Sequence, residues 1–568
     1  MTGPGADPLL GGLDEQQRLA AETLFGPVCL LAGAGTGKTR TITHRIAHGV
    51  LSGAYSPARV MALTFTSKAA AELRSRLRVL GVSGVAARTF HAAALAQLGY
   101  FWPQLTGTGL PRILGQKGRL VADAARALRI ELDTATLRDA AAEIEWRKIS
   151  ALTIEQYREA AAMRPLPAGL TPERAVELQE RYEAMKDERR QLDFEDVLLA
   201  TAGMIEAEPW VAQQVREQYR FFVVDEYQDV SPLQQRLLEL WLGGRDDLCV
   251  VGDASQTIYS FAGASARYLL GFASRYREAR IIRLEQNYRS TSAIVAAANR
   301  LVRDRPGALS LRATAGASEP PTVTAYRDDR GEAEGVAERI ADQIASGTRP
   351  EEIAVLFRVN GQSQAIESAL AARGIGSQVH GGPRFFELQE VKQALMMLKG
   401  ATVAPLSEPL FKTVSDVLRS LGWTQDPPET AGAVRDRWES LNVLMTLAEE
   451  SPSGTTLRQF VDGLLERAAD QHEPERSVVT LATMHSAKGL EWHTVHIVGL
   501  SEGLMPIGHA RSEAEIEEER RLLYVGLTRA RERLHLSWAA RGAQHAAERR
   551  PSRFLEALRS RIPDAATS

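Results

Sequence analysis

Residues 28–39 read Val28-Cys29-Leu30-Leu31-Ala32-Gly33-Ala34-Gly35-Thr36-Gly37-Lys38-Thr39. The apolar run predicts a buried strand, the glycines a tight turn, and the residues from Lys38 through Ile42-Thr43-His44-Arg45-Ile46 a helix. Glycines let backbone N–H groups turn inward around a polyphosphate without obstruction by side chains, and the helix N-terminus adds a positive dipole end. In such a loop the lysine reaches the β- and γ-phosphates and the following hydroxyl sits on Mg²⁺. Ala32, Gly33, Ala34, Gly35, Thr36, Gly37, Lys38, Thr39 and the adjacent Arg40 are therefore candidate nucleotide-binding residues, with Lys38 catalytic and Thr39 a metal ligand. The usual pattern opens with glycine where this chain has Ala32. A glycine-rich turn alone occurs in other α/β proteins. Strand, loop, Lys-Thr and helix together point to a nucleotide.

The chain has 568 residues, too many for one core at about 150 residues per domain. Its 44% apolar and 24% charged content is that of an ordinary globular protein. A formal charge of -3 gives no basic body, so any nucleic-acid site must be a local groove. The 2 cysteines, Cys29 and Cys249, both lie in apolar runs, which excludes a four-thiolate metal site and fits a reducing, cytoplasmic setting. The N-terminus shows no secretory signal, and no apolar run approaches the roughly 18 residues of a membrane span.

Apolar runs alternate with helical patterns along the first half: Val28–Leu31, Val60–Phe65, Phe221–Val224, Leu248–Val251 and Ile281–Leu284. A second series comprises Thr322–Tyr326, Ile353–Phe357, Val478–Leu481, Val495–Val498 and Leu534–Trp538. Nearly uninterrupted apolar strands separated by helices predict parallel sheets covered on both faces. Alanine-, glutamate- and arginine-rich helical sequence interrupts the first series, and helical sequence with no clear strands interrupts the second. The expected plan is an α/β domain with a mainly helical insertion, written twice. Its parts are residues 1–100 and 191–288 for the first domain and 101–190 for its insertion. Residues 289–394 and 476–560 form the second domain, 395–475 its short insertion, and 561–568 a polar tail.

Phe221–Val224 leads into Asp225-Glu226-Tyr227-Gln228-Asp229. A carboxylate at a strand end beside a phosphate loop can hold Mg²⁺, which assigns Asp225, and Glu226 can polarise the attacking water. After the next strand, Gln256 is placed to feel the γ-phosphate or that water. Tyr259 and Phe261, two apart, share one face of an extended chain and can stack bases at about 1–3 kcal/mol each. Such a pair, taken singly, is more often core.

Further segments follow in order: Leu13–Gln17, Thr64–Ala70, Thr89-Phe90-His91, Leu192–Asp196, Gln286–Ser290, Thr483–Glu491, Tyr524–Ala530 and Pro551–Phe554. The ordered set resembles the superfamily 1 DNA helicases of the UvrD, Rep and PcrA group over nearly the whole chain, most closely a shortened, actinobacterial-looking variant. The resemblance implies two RecA-like motor domains, ATP and Mg²⁺ as cofactors, and 3′ to 5′ movement on single-stranded DNA. It also implies that Gln17 reads adenine, Tyr288 stacks on it, and Glu491 lies near the ribose. Arg289 and Arg529 would touch the γ-phosphate as arginine fingers. Phe65, His91, Tyr259, Phe261, Asn360 and His485 fall on positions lining the single-strand groove.

Departures are Phe261 for a usual tryptophan, Ala262 for an arginine, and an insertion at 395–475 roughly half the family's usual length. No nuclease domain is expected after the last motif. The expected activity is an ATP-dependent 3′–5′ DNA helicase in repair or replication, nucleoid-associated and monomeric in isolation. Its partners would be single-stranded DNA, 3′-tailed duplex and repair proteins. A single-strand translocase that displaces proteins but unwinds poorly, and a non-hydrolysing nucleotide-dependent DNA-binding scaffold, stand as alternatives. Residue types alone do not separate DNA from RNA.

Overall fold

The computed structural model describes residues 8–558 apart from 133, 165, 168, 261–262, 317–318, 381–385, 387, 403–408, 427–432, 450, 470–476 and 543–547. The chain forms two units: Met1–Tyr288 with Val302–Thr314, and Arg289–Leu301 with Ala315–Ser568.

The first unit is built on β1 (Val28–Ala32), β2 (Val60–Thr64), β3 (Ala86–Thr89), β4 (Phe221–Val224), β5 (Leu248–Gly252) and β6 (Arg280–Leu284). They pair in parallel in the order β3-β2-β4-β5-β1-β6. Alternate residues serve opposite faces. Cys29, Leu63, Phe222 and Val250 pack with Phe90, Leu237 and Trp241, whereas Leu30, Ala62, Val223 and Val251 pack with Ile42, Ile46 and Leu73. Because β4, β5 and β1 are parallel neighbours, the residues that follow their C-terminal ends (Asp225, Asp253 and Gly33) collect along one edge of the sheet.

Several features depart from the expected series, the short strand Ser377–Val379 of the second sheet among them. Ala86–Thr89 is an edge strand, recruited by pairing with β2 rather than by apolar content. The helix Phe90–Thr106 runs unbroken through residue 100, and Gln389–Ala401 runs through 394, so helical periodicity alone did not mark those boundaries. Val302–Thr314 returns to the first unit, where Arg312 and Ala313 pair with Gln286 and Asn287. The helices Lys117–Ala127, Thr134–Ile149, Ile154–Ala161 and Pro172–Glu188 lie between β3 and β4 in sequence. Leu120, Val121, Ala124, Ile144, Leu178 and Tyr182 give the first, second and fourth of these a core of their own, and Tyr157 and Ala161 of the third pack against Ala175 and Val176.

The second unit's sheet contains β7 (Thr322–Tyr326), β8 (Ile353–Phe357), β9 (Ser377–Val379), β10 (Val479–Thr483), β11 (Trp492–Ile497) and β12 (Ala530–Ala539). Its order is β7-β12-β11-β8-β10-β9, again all parallel. Helices Gln389–Ala401, Leu410–Ser420, Ala433–Glu449 and Leu457–Ala469 lie between β9 and β10 in sequence. Val391, Leu398, Leu418, Leu441 and Val461 are buried among them. Among the described residues no helix is long and apolar enough to cross a membrane. Cys29 and Cys249 are buried free thiols, and burial pushes Cys29 up to about 12.

A polar chain crosses the second unit's core. The His496 Nε2 lies 3.1 Å from the Gln343 Oε1, the Gln343 Nε2 lies 3.0 Å from the His535 Nε2, and the His535 Nδ1 lies 2.8 Å from the Thr322 Oγ1. The Gln343 amide nitrogen donates to the His535 Nε2, which must therefore be the bare nitrogen of a neutral imidazole, while the Gln343 oxygen accepts from the His496 Nε2–H. Burial, with Arg339 and Arg533 nearby, holds His535 down to about 4, and burial with His535 and Arg339 holds His496 well below the ordinary value. A depressed folded-state value means that the unfolded chain binds the proton first. This contribution is therefore complete above about pH 6.5 and is lost as pH falls toward 4, roughly 3 kcal/mol for His535. The melting temperature should fall across that window, and His535→Gln should flatten the dependence. An unchanged profile in that variant would remove His535 from this role.

Candidate functional site

The loop after β1 is held by its carbonyls. The Asn287 Nδ2 donates to the Ala34 O at 2.7 Å, the Tyr288 N to the Gly35 O at 2.9 Å, and the Gln17 Nε2 to the Thr36 O at 2.9 Å. In a trans peptide the N–H points opposite to the carbonyl of the same unit. Fixing these three carbonyls outward therefore turns the N–H groups of Gly35, Thr36 and Gly37 toward the other side of the loop. The Thr36 N keeps only a 3.4 Å contact to the Gly33 O.

Gly35 and Gly37 adopt φ of 70° and 77°, conformations that disfavour a side chain. A Cβ on Gly33 would come within 2.3 Å of the Leu311 Cδ2, so the returning segment crowds the loop's first turn. Ala32 is the last residue of β1, paired with Leu284 and fully buried, so its methyl group fills core where a glycine would leave space. The helix Lys38–Leu51 begins directly after Gly37. The Lys38 Nζ is buried and has no hydrogen-bond partner among the described residues. An orphaned ammonium in a cradle of inward N–H groups fits a polyphosphate.

At the end of β4, burial and the adjacent Glu226 push the Asp225 carboxyl up against the opposing pull of Lys38. Burial likewise raises Asp253, at the end of β5, also against Lys38. Thr39 and Asp225 offer the hard oxygen donors that Mg²⁺ takes, and a dication would relieve the crowding of these carboxylates. Glu226 stands at φ 51° and ψ 40°, a left-handed conformation uncommon outside glycine.

The Gln228 side chain, buried completely, holds this arrangement. Its Nε2 donates to the Glu226 Oε2 at 2.5 Å, and its Oε1 accepts from the Asp253 N at 3.0 Å. The Gln256 Nε2 donates to the Asp253 Oδ2 at 2.7 Å. One amide thus spans the ends of β4 and β5.

Gln17 is 1% exposed and its amide serves the loop on one side and the Asp14 N, 3.3 Å away, on the other. Asp14 caps the helix Glu15–Glu22 and its Oδ2 accepts from the Tyr288 hydroxyl at 2.6 Å, leaving the Tyr288 residue 45% exposed. The Arg40 guanidinium donates to the Gly12 O at 2.7 Å. In the second unit, Arg289 forms an ion pair with Glu491 and a longer 3.4 Å bond to the Thr528 O. Arg529, 2% exposed, donates to the Val525 O at 3.0 Å and to the Leu490 O at 3.1 Å. Its guanidinium is fixed by the turn that carries it.

Of the aromatic candidates, Phe65 is half-buried with its ring centroid 6.2 Å from that of Phe90. His91 stacks on Phe194 at 3.8 Å and 13°, and burial holds the imidazole down to about 4. It is therefore a neutral stacking surface rather than a cation for phosphate. Phe194 itself is 56% exposed, a large ring left in solvent on top of another ring. Tyr259 is half-buried, Phe261 lies outside the described residues, and of Asn360 only the backbone is described, opening a short 3₁₀ turn. In the second unit, burial and Arg358 bring His485 down to about 4, and Arg358 itself is bound to Glu519 at 2.8–3.0 Å.

Residues 13–277 match the UvrD/REP helicase N-terminal domain, and 282–425 and 410–541 match the UvrD-like helicase C-terminal domain. The chain belongs to the UvrD/Rep helicase family. It is 47% identical to ATP-dependent DNA helicase UvrD2 of Mycobacterium tuberculosis, over 97% of this chain and 82% of that protein. It is 31% identical to ATP-dependent DNA helicase UvrD1 of Mycobacterium bovis, over 94% of this chain and 83% of that protein. With ATP-dependent DNA helicase PcrA of Bacillus subtilis the identity is 28%, over 94% and 83%.

Three residues of this UvrD-like chain enter the site without having been singled out. Asn287 and Gln228 are buried amides whose partners are set only by the fold. Phe194 sits in a quoted segment, but nothing in its neighbours' identities shows that its ring faces solvent.

Proposed function

We propose that this UvrD/Rep-family chain is an ATP-hydrolysing DNA helicase that moves 3′ to 5′ along single-stranded DNA and unwinds duplex in repair or replication. The observation that carries the reading is the loop at Ala34–Thr36, its three carbonyls tied outward and the buried Lys38 Nζ left with no hydrogen-bond partner among the described residues. In this reading the loop N–H groups and Lys38 bind the β- and γ-phosphates. Glu226, aimed by Gln228, orients and deprotonates the attacking water. Tyr288 offers its half-exposed ring to adenine, and Gln17, buried and bonded at both ends of its amide, steadies the loop and meets the base only by giving up one of those bonds. Mg²⁺, when bound by Thr39 and Asp225, would supply charge neutralisation at the phosphates.

Arg289 and Arg529 are the cations the second unit contributes to transition-state charge, with Glu491 holding Arg289. Phe65, His91, Phe194 and Tyr259 in the first unit, with Phe261, and Asn360 and His485 in the second, contact the single strand. Stacking on ring faces is tolerant of sequence, which suits a motor that must pass over any base.

The test is ATP turnover by the full chain with and without single-stranded DNA or RNA at fixed salt, together with unwinding of 3′- and 5′-tailed duplexes. Stimulation by DNA above RNA, with unwinding confined to the 3′-tailed duplex, is expected. Absence of stimulation by any strand, or a 5′-tail requirement, would overturn the reading.

The small helical segment between β9 and β10 favours a second reading. The alignment to PcrA runs over 629 residues against the 568 of this chain, so that relative carries sequence with no counterpart here. A motor with so short an insertion would displace bound proteins from single strands yet unwind weakly. Robust unwinding by the isolated chain would dispose of this alternative.

A further inference from the structure

The exposed Phe194 is flanked by three acids that are not exposed. It is the first residue of the helix Phe194–Ala207, whose N-cap Asp193 is 1% exposed. Glu195 and Asp196 follow it and are also withdrawn from solvent. Each acid is met by a lysine from a different helix of the segment between β3 and β4. Lys148 places its Nζ 2.6 Å from both the Asp193 Oδ2 and the Asp196 Oδ1, Lys186 is bound to Asp196 and lies 3.3 Å from Asp193, and Lys117 is bound to Glu195. Glu183 and Arg147 complete the cluster, paired at 2.6 Å, and the Tyr182 hydroxyl donates to the Asp193 Oδ2 at 2.9 Å. Four basic side chains thus meet these four acids around one turn of backbone, with Glu145 at the edge of the cluster 4.0 Å from Lys117.

Buried ion pairs contribute little net stability, because desolvation offsets much of the attraction, but they demand particular geometry. A ring that is 56% exposed cannot be held by packing alone. Its position must come from the backbone that carries it and from the one ring beneath it. The cluster fixes that backbone from both sides of Phe194, while His91 supports the ring from below.

We propose that Lys148 and Lys186, braced by Tyr182, are positioning residues for DNA binding. Through Asp193 and Asp196 they set the Phe194 platform, so that the helical segment 117–188 governs the grip on a base it does not itself touch. This rests on the reading of Phe194 as a base platform.

The experiment is a double-mutant cycle on the full chain: binding of a fluorescent oligo-dT by Lys148→Met, Phe194→Ala and the two combined. Phe194→Ala should weaken binding about 10-fold. Lys148→Met should weaken it several-fold alone and add nothing in the Phe194→Ala background. In Lys148→Met the DNA concentration for half-maximal ATPase should rise while kcat at saturating DNA stays unchanged. Affinity for a fluorescent ATP analogue should match the parent protein and report that the unit is folded.

If Phe194→Ala changes nothing, the platform reading falls. If it weakens binding and the two effects multiply, only the positioning role falls. Should Lys148→Met fail to bind the ATP analogue, Tyr182→Phe, which removes one hydroxyl, replaces it in the cycle. It should weaken binding about threefold in the parent and not in Phe194→Ala, and unchanged affinity in the parent would overturn the proposal.

Discussion

Lys38→Ala will lower ATP turnover on the order of 10³-fold and end ATP-driven movement on single-stranded DNA, because this one ammonium faces two separate demands. Its Nζ is buried and, among the described residues, has no hydrogen-bond partner, so its donors are held in reserve for the phosphates. It is also the cation that opposes the rise of the Asp225 and Asp253 carboxyls. Removing it leaves two buried acids uncompensated at the strand ends while taking away the donor to the γ-phosphate. The loop itself should survive, since its carbonyls are held by Asn287, Tyr288 and Gln17 rather than by Lys38. Turnover and arrival of the motor at a labelled oligonucleotide end are the measurements. Turnover above about 1% of the parent protein would contradict the assignment.

Much of this site was readable in the chain before folding, for a definite reason. Covalent neighbours carry the phosphate loop: a strand, glycines, Lys38 and Thr39 occupy one continuous stretch, so spacing specifies geometry. The same holds for Asp225 and Glu226 after Phe221–Val224. Parallel sheets also announce themselves, since strands covered on both faces have few polar interruptions. The less legible features are those in which partners are distant in sequence.

Asn287 reaches Ala34 across more than two hundred residues, and Gln228 meets Asp253 only because β4 and β5 are neighbours. Lys148 and Lys186 look like solvated helix charges until the fold buries them against Asp193 and Asp196. The return of Val302–Thr314 is set by a two-residue pairing too short to leave a periodic pattern. Ala86–Thr89 carries one buried side chain, and its strand conformation comes from the neighbour β2.

Glu226→Gln should separate binding from chemistry. The substitution preserves shape, and the new amide can turn its oxygen toward the Gln228 Nε2, keeping the 2.5 Å contact that aims the side chain. What is lost is the capacity to take a proton. A general base contributes about 10²–10⁴-fold, so DNA-stimulated kcat should fall on the order of 10³-fold. ATP affinity should hold or improve. The phosphate donors are untouched, and removing the charge at 226 relieves the repulsion that raises Asp225.

Gln228→Leu is the informative companion. It deletes the amide that joins Glu226 to the Asp253 backbone, so the Glu226 carboxylate remains but is no longer aimed. Its kcat should drop about 10-fold with little change in the ATP concentration for half-maximal rate, a loss of orientation rather than of the base. Combined with Glu226→Gln it should cost little more, because an unaimed base and an absent one fail at the same step. A Glu226→Gln enzyme that keeps more than a tenth of its turnover would move the proton-accepting role elsewhere. If Gln228→Leu instead multiplied with it, Gln228 would act through the Asp253 side of its bridge.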